Sequence, residues 1–163
     1  MVSNGSRIAI LAAFDPSEGG PGAARRALAG ISSGVLPPGT VILEHNGTIL
    51  KALEAAADFD GLVLVDGASM GMRPGGAAIF TLNELILPGS PPRVVFDNVD
   101  VESDILYASK FLSLPPLRIV GIQPDETRAG EAQAGCGAGE AGTGGEGSFL
   151  DTIRRAIFEL TRE

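Results

Sequence analysis

Four short, unbroken apolar runs constrain this chain more than any other feature: Arg7–Ala13 (RIAILAA), Thr40–Glu44 (TVILE), Gly61–Asp66 (GLVLVD) and Leu117–Gln123 (LRIVGIQ). Continuous rather than alternating hydrophobicity is the pattern of strands covered on both faces. Helical spacing fills the gaps between them. AARRALAG follows the first run and is closed by Gly30. TILKALEAAADF follows the second, with Ile49, Leu50 and Leu53 at helical intervals. VESDILYASKFL precedes the last run and should turn Ile105, Leu106 and Phe111 inward, while SFLDTIRRAIFELTRE closes the chain as an amphipathic helix. AAIFTL (Ala77–Leu82) reads as a further strand, entered through the Pro74-Gly75-Gly76 turn and therefore suited to an antiparallel place at an edge. SSGVLPPG and LPGSPP read as loops, the second leading into RVVFD. Strands alternating with helices predict an α/β fold, a three-layer α/β/α domain with a mainly parallel, twisted sheet of about five strands.

A chain of 163 residues with 44% hydrophobic content is expected to form one domain, 1–163, around a real core. The tract RAGEAQAGCGAGEAGTGGEG is the exception. It offers little to bury against the entropy of ordering a glycine-rich backbone, so a flexible surface insertion is expected at about 130–147. Limited proteolysis should nick this segment first and leave a folded remainder; protection throughout it would show that it packs. Its lone Cys136 reads as an incidental thiol and has no internal disulfide partner, which suits a reducing compartment. A net charge of −8, without a basic run, argues against nucleic acid or an anionic membrane surface as the main partner. The apolar run near Met1 is too short to span a bilayer and lacks the form of a signal peptide. A cytoplasmic protein is expected.

The third run stops at a carboxylate, Asp66. In open α/β sheets ligands gather at the carboxyl ends of the strands. Asp15 and Glu18 follow the first strand and Glu44 and His45 the second, so several acids can converge on one rim. Asp66 has a plainer reading, as the cap of whatever follows the strand. SEGGPG (Ser17–Gly22) is only loosely like a phosphate cradle: it has no P-loop lysine, and Glu18 would repel phosphate. Ser17 or Glu18 can instead cap the following helix, or Glu18 can act as a hard-oxygen metal ligand. His45 is the only histidine, which excludes a multi-histidine zinc site. A serine triad would have to use it, and no Gly-x-Ser-x-Gly elbow is present.

The block EHNGTILKALEAAADFDGLVLVDGASMGMRPGGAAIF resembles the centre of the hydrogenase maturation proteases. These endopeptidases trim the C-terminal tail of a NiFe hydrogenase large subunit after nickel insertion. Asn46-Gly47-Thr48 stands for the family's Gly-Gly-Thr turn, Asp60 for the acid before the strand, Asp66-Gly67 for its Asp-Ala, and Pro74-Gly75 for its Pro-Gly. LRIVGIQPDETRAG is similar to the Val-Gly-Ile-x-Pro-Glu strand, and SFLDTIRRAIFEL to the closing helix. The likeness covers most of the chain.

That resemblance implies a nickel-dependent endopeptidase acting on a hydrogenase large-subunit precursor. Glu18 and Asp66 would be the catalytic metal ligands, and the nickel would arrive with the substrate. The metal would both certify the precursor and polarise the scissile carbonyl or a water. Gly47 and Thr48 would shape the cleft wall, or form only a turn. Ser17 replaces the acid that precedes the first ligand, and the loop around it is shorter than in the family. The third ligand of the family is a histidine at the start of the helix that here reads VESDILYASKF; counting back places Asn98 there, with no histidine nearby. An amide oxygen is a much weaker ligand for Ni(II) than imidazole. Asp97 or Asp100 could supply a carboxylate instead, or His45 could reach in from the neighbouring strand end. The alternative is a non-catalytic module on the same fold that binds or checks a nickel-loaded precursor. A small nucleotide- or flavin-binding α/β domain is the more distant rival.

Overall fold

A computed structural model describes residues 5–13, 22–45, 48–86, 95–96, 101–124 and 145–162. Its sheet has the strand order β2-β1-β3-β6-β4, from β1 (Ile8–Ala12), β2 (Thr40–Leu43), β3 (Gly61–Ser69), β4 (Ala77–Phe80) and β6 (Leu117–Ile122). β1, β2, β3 and β6 run parallel. β4 lies antiparallel on β6 at the edge, as the turn before it required. The two-residue β5 (Val95–Phe96), inside RVVFD, pairs antiparallel with the far end of β3.

Side chains alternate across the pleat, so each strand feeds two cores. Ala9, Leu11, Leu62, Leu64 and Ile119 meet α2 (Ile49–Ala56) and α4 (Val101–Phe111) on one face. Ile8, Ile10, Val63, Val65, Val120 and Ile122 meet α1 (Ala23–Ala29) and the terminal helix α5 (Gly145–Leu160) on the other. The expected three layers are present. Arg118 on β6 holds α5 through Glu159 at 3.1 Å, and Arg154 of α5 donates to the Val35 carbonyl through Nε at 3.2 Å and Nη2 at 2.9 Å. Val35 ends a 3-10 turn (Ser33–Val35) inside the stretch read as loop.

At the amino edge of the sheet, the Arg7 amide donates to Asp60 Oδ2 at 2.7 Å, and the Asp60 amide donates to the Arg7 carbonyl at 2.8 Å. Asp60 therefore ties the entries of β1 and β3 together, far from Asp66. After β4, Thr81 and Glu84 form a reciprocal capping box that starts α3 (Leu82–Ile86). The Thr81 backbone amide, and then its hydroxyl, hold the Glu84 carboxyl below its ordinary pKa.

Three expectations need correction. β3 does not stop at Asp66 but runs on to Ser69, because β6 pairs as far as Gly67 and β5 takes up Ala68 and Ser69. The small residues after Asp66 are strand, not turn. In α4 the inward row is Val101, Ile105 and Ala108, the 3.6-residue repeat that continues to Leu112. Phe111 falls one position off that row, is 68% exposed, and stacks on Tyr107 with ring centroids 4.6 Å apart. Leu106 is only half-buried. The expected insertion lies outside the described residues from 130 to 144, and its last three residues, from Gly145, already belong to α5.

Candidate active-site rim

Asp66 is 4% exposed, and its Oδ1 accepts the Gly67 amide at 2.9 Å. β3 continues through it to Ser69, so it does not cap an element that follows the strand. Its position differs on its two sides. β1 pairs with β3 only as far as Ala12–Val65, so Asp66 stands one residue beyond the end of β1. Towards β6 it is mid-ladder, opposite Gly121.

The register explains why a carboxylate is tolerated here. Leu43, Leu11, Leu64, Ile119 and Phe80 form one row across the sheet, all on the α2/α4 face. Two residues beyond Leu11, Leu64 and Ile119 stand Ala13, Asp66 and Gly121, with Ala78 of the antiparallel β4 opposite Gly121. The bulky apolar side chains from Leu11 to Phe80 give way to a methyl, the carboxylate, a glycine and a second methyl. Ala13 stays on the ladder, its amide donating to the Val65 carbonyl at 2.7 Å, and it belongs to the α2/α4 core.

The β6 side of the acid is filled. A Cβ at Gly121 would come within 3.0 Å of Ala68 Cβ and Met70 Sδ, and 3.3 Å of the Phe80 ring. Phe80 in turn meets Phe96 edge to face, with centroids 6.3 Å apart. Gln123 braces this wall: its buried Oε1 accepts the Met70 amide at 2.8 Å and the Met72 amide at 3.3 Å. Its backbone bonds to Gly75 and Gly76 as well. On the β1 side Asp66 adjoins Ala13, which is buried as well. The sequence alone did not single out Ala13, Gly121 and Gln123, which meet Asp66 or its wall only through strand register.

The remaining candidates divide. Thr48 is the N-cap residue of α2, in extended conformation and exposed, and its side chain makes no capping bond. His45 follows β2 on the same rim, and its Nε2 is buried without a hydrogen-bond partner among the described residues. Glu18, Asp15, Ser17, Gly47, Asp97, Asn98 and Asp100 lie outside the described residues. Glu44, beside His45, is exposed, and among the described residues no group of three metal-ligating side chains comes together. No helix among them is long and apolar enough to cross a membrane. A pocket lined by Gly5, Arg7, Asp60, Pro116 and Thr161 sits at the opposite, amino edge.

No family model and no curated relative matches the chain. Its architecture does match solved structures. The NiFe hydrogenase maturation protease HybD from Thermococcus kodakarensis superposes with a TM-score of 0.53 at 16% identity, over 95% of this chain and 99% of that one. The endopeptidase HycI from Escherichia coli gives 0.53 at 18% identity, over 91% and 87%. The hydrogenase maturating endopeptidase HybD from E. coli gives 0.51 at 18%, over 96% and 92%. From end to end, the chain carries the fold of the hydrogenase maturation proteases.

Proposed function

We propose that this protein is a divergent hydrogenase maturation protease: a nickel-dependent endopeptidase that removes the C-terminal extension of a NiFe hydrogenase large-subunit precursor in the cytoplasm. One observation carries the reading. A buried carboxylate, Asp66, stands just past the end of β1 with side-chain-poor neighbours, in a chain that superposes along its length on such endopeptidases.

In this reading nickel is part of the substrate and is carried in by the precursor. Asp66 and Glu18 would supply hard oxygen donors, and Asn98 or Asp97 the third donor. Bound there, the metal supplies Lewis acidity at the scissile peptide. The protein's part would be to supply those acids, Asp66 from β3, with Gly47 and Thr48 shaping the cleft wall.

The test is intact mass after incubation with nickel-loaded and nickel-free precursor. Loss of the C-terminal extension from the loaded form alone is the expected result. A second reading is favoured by the absence of the family's histidine from the sequence before α4. On that reading the protein retains the nickel-loaded precursor and leaves its mass unchanged.

A further inference from the structure

We infer that the outer edge of β2 takes up the extended tail of the precursor as an added strand. The inference rests on the processing reading above and names how that peptide is held. β2 ends the sheet, and among the described residues it pairs with β1 alone. The phase of that pairing decides which backbone groups are left over. The Ile8 amide donates to the Gly39 carbonyl at 3.1 Å, and Ile8 stands opposite Thr40. In a parallel ladder this start turns the amide and carbonyl of Val41 towards β1 and those of Ile42 away from it. The Thr40 carbonyl also faces outward, while the Thr40 amide donates to the Pro37 carbonyl at 3.2 Å. One donor and two acceptors thus line the outer side of β2, enough for three backbone hydrogen bonds to an added chain.

Edge strands are commonly guarded by a charge, a proline or a bulge. Thr40–Leu43 reads TVIL and pairs with β1 residue for residue, so it carries none of these. Val41 stands opposite Ala9 on the α2/α4 face and is 43% exposed although apolar. In strand addition the backbone supplies affinity and alternate side chains supply preference. The peptide residue beside Val41 should accordingly be apolar.

The length of the edge decides between occupants. Four residues span about 13 Å, and pairing along them buries far less than the roughly 1,200 Å² of a stable interface. A second copy would be held too weakly to persist. A peptide that must bind, be cut and leave needs no more. Direction agrees: β2, β1 and β3 run parallel, so the edge leads towards the carboxyl rim of the sheet. A chain terminus is the part of a precursor free to lie extended along it.

The probe is a synthetic peptide spanning the cleavage site and C-terminal extension of the large subunit from the same organism, titrated into 15N-labelled protein. Bound, it should slow hydrogen exchange of the Ile42 amide about tenfold or more, because that amide gains a partner. The Val41 amide, already bonded to β1, should change little. Peptides N-methylated at alternate residues should bind in one phase and fail in the other, a contrast that leaves the protein untouched. In the processing assay, Val41→Lys places a guarding charge on the edge and should raise KM about tenfold with kcat kept. Peptide bound with Ile42 unprotected, or no binding at millimolar peptide, would overturn the inference, and the mass assay would judge processing separately. Protection of Ile42 that grows with protein concentration in the absence of peptide would overturn it too, by seating a second copy on the edge. Protection by peptide in a protein that leaves precursor mass unchanged would support the edge and count against the endopeptidase reading.

Discussion

Asp66→Asn is expected to leave the protein folded and to reduce precursor processing by a hundredfold or more, roughly 2.7 kcal/mol of transition-state stabilisation. The substitution is nearly isosteric. An amide oxygen can still accept the Gly67 amide, the bond that Oδ1 makes at 2.9 Å. What changes is charge: a carboxylate at a position 4% exposed becomes neutral. Shape and the Gly67 bond are kept, so stability should change by no more than about 1 kcal/mol. For a domain of this size that is a Tm shift of only about 2–4 °C. A metal ligand and a structural acid thus behave in opposite ways. Processing lost with Tm intact supports the ligand role. Processing retained removes Asp66 from the chemistry, and a Tm fallen by many degrees would show that the carboxylate carries the fold.

Much of the architecture was legible because burial on both faces writes itself into a strand as an unbroken apolar run. β1, β2 and β6 lie where their runs stand, and the Pro74-Gly75-Gly76 turn correctly announced β4 as an antiparallel edge. The errors came where pairing, not composition, decides. Gly67, Ala68 and Ser69 carry no strand signal of their own and are extended because β6 and β5 lie beside them. Phe111 is hydrophobic, yet the helical repeat set by Val101 and Ile105 leaves it outside. The rim was half legible. The acid at the end of an apolar run could be read directly, but its surroundings could not. Ala13 and Gly121 flank Asp66 through registers that join residues 53 and 55 positions apart, and no local pattern reveals such a row.

The row beneath the acid yields the largest expected loss of stability. Leu64 is 1% exposed and sits between Leu11 and Ile119, two residues before Asp66 and on the same face. Leu64→Ala removes the centre of a five-residue apolar row between the sheet and the α2/α4 layer. The parallel strands on either side hold their spacing, so the void cannot readily collapse. The cost should be about 3 kcal/mol, the usual range for a buried leucine being about 2–5. Scaled to a domain of this size, Tm should fall by about 6–12 °C. Val41→Ala provides the control, since Val41 on β2 is 43% exposed and its truncation should stay within about 0.5 kcal/mol. Denaturant unfolding of both variants beside the parent measures the difference. At a temperature where Leu64→Ala remains folded it should still process precursor, because the truncation removes packing beneath the rim and no donor from it. A Leu64→Ala loss no larger than that of Val41→Ala would mean the row does not pack tightly. Folded Leu64→Ala without processing would mean that Asp66 owes its position to the leucine below it.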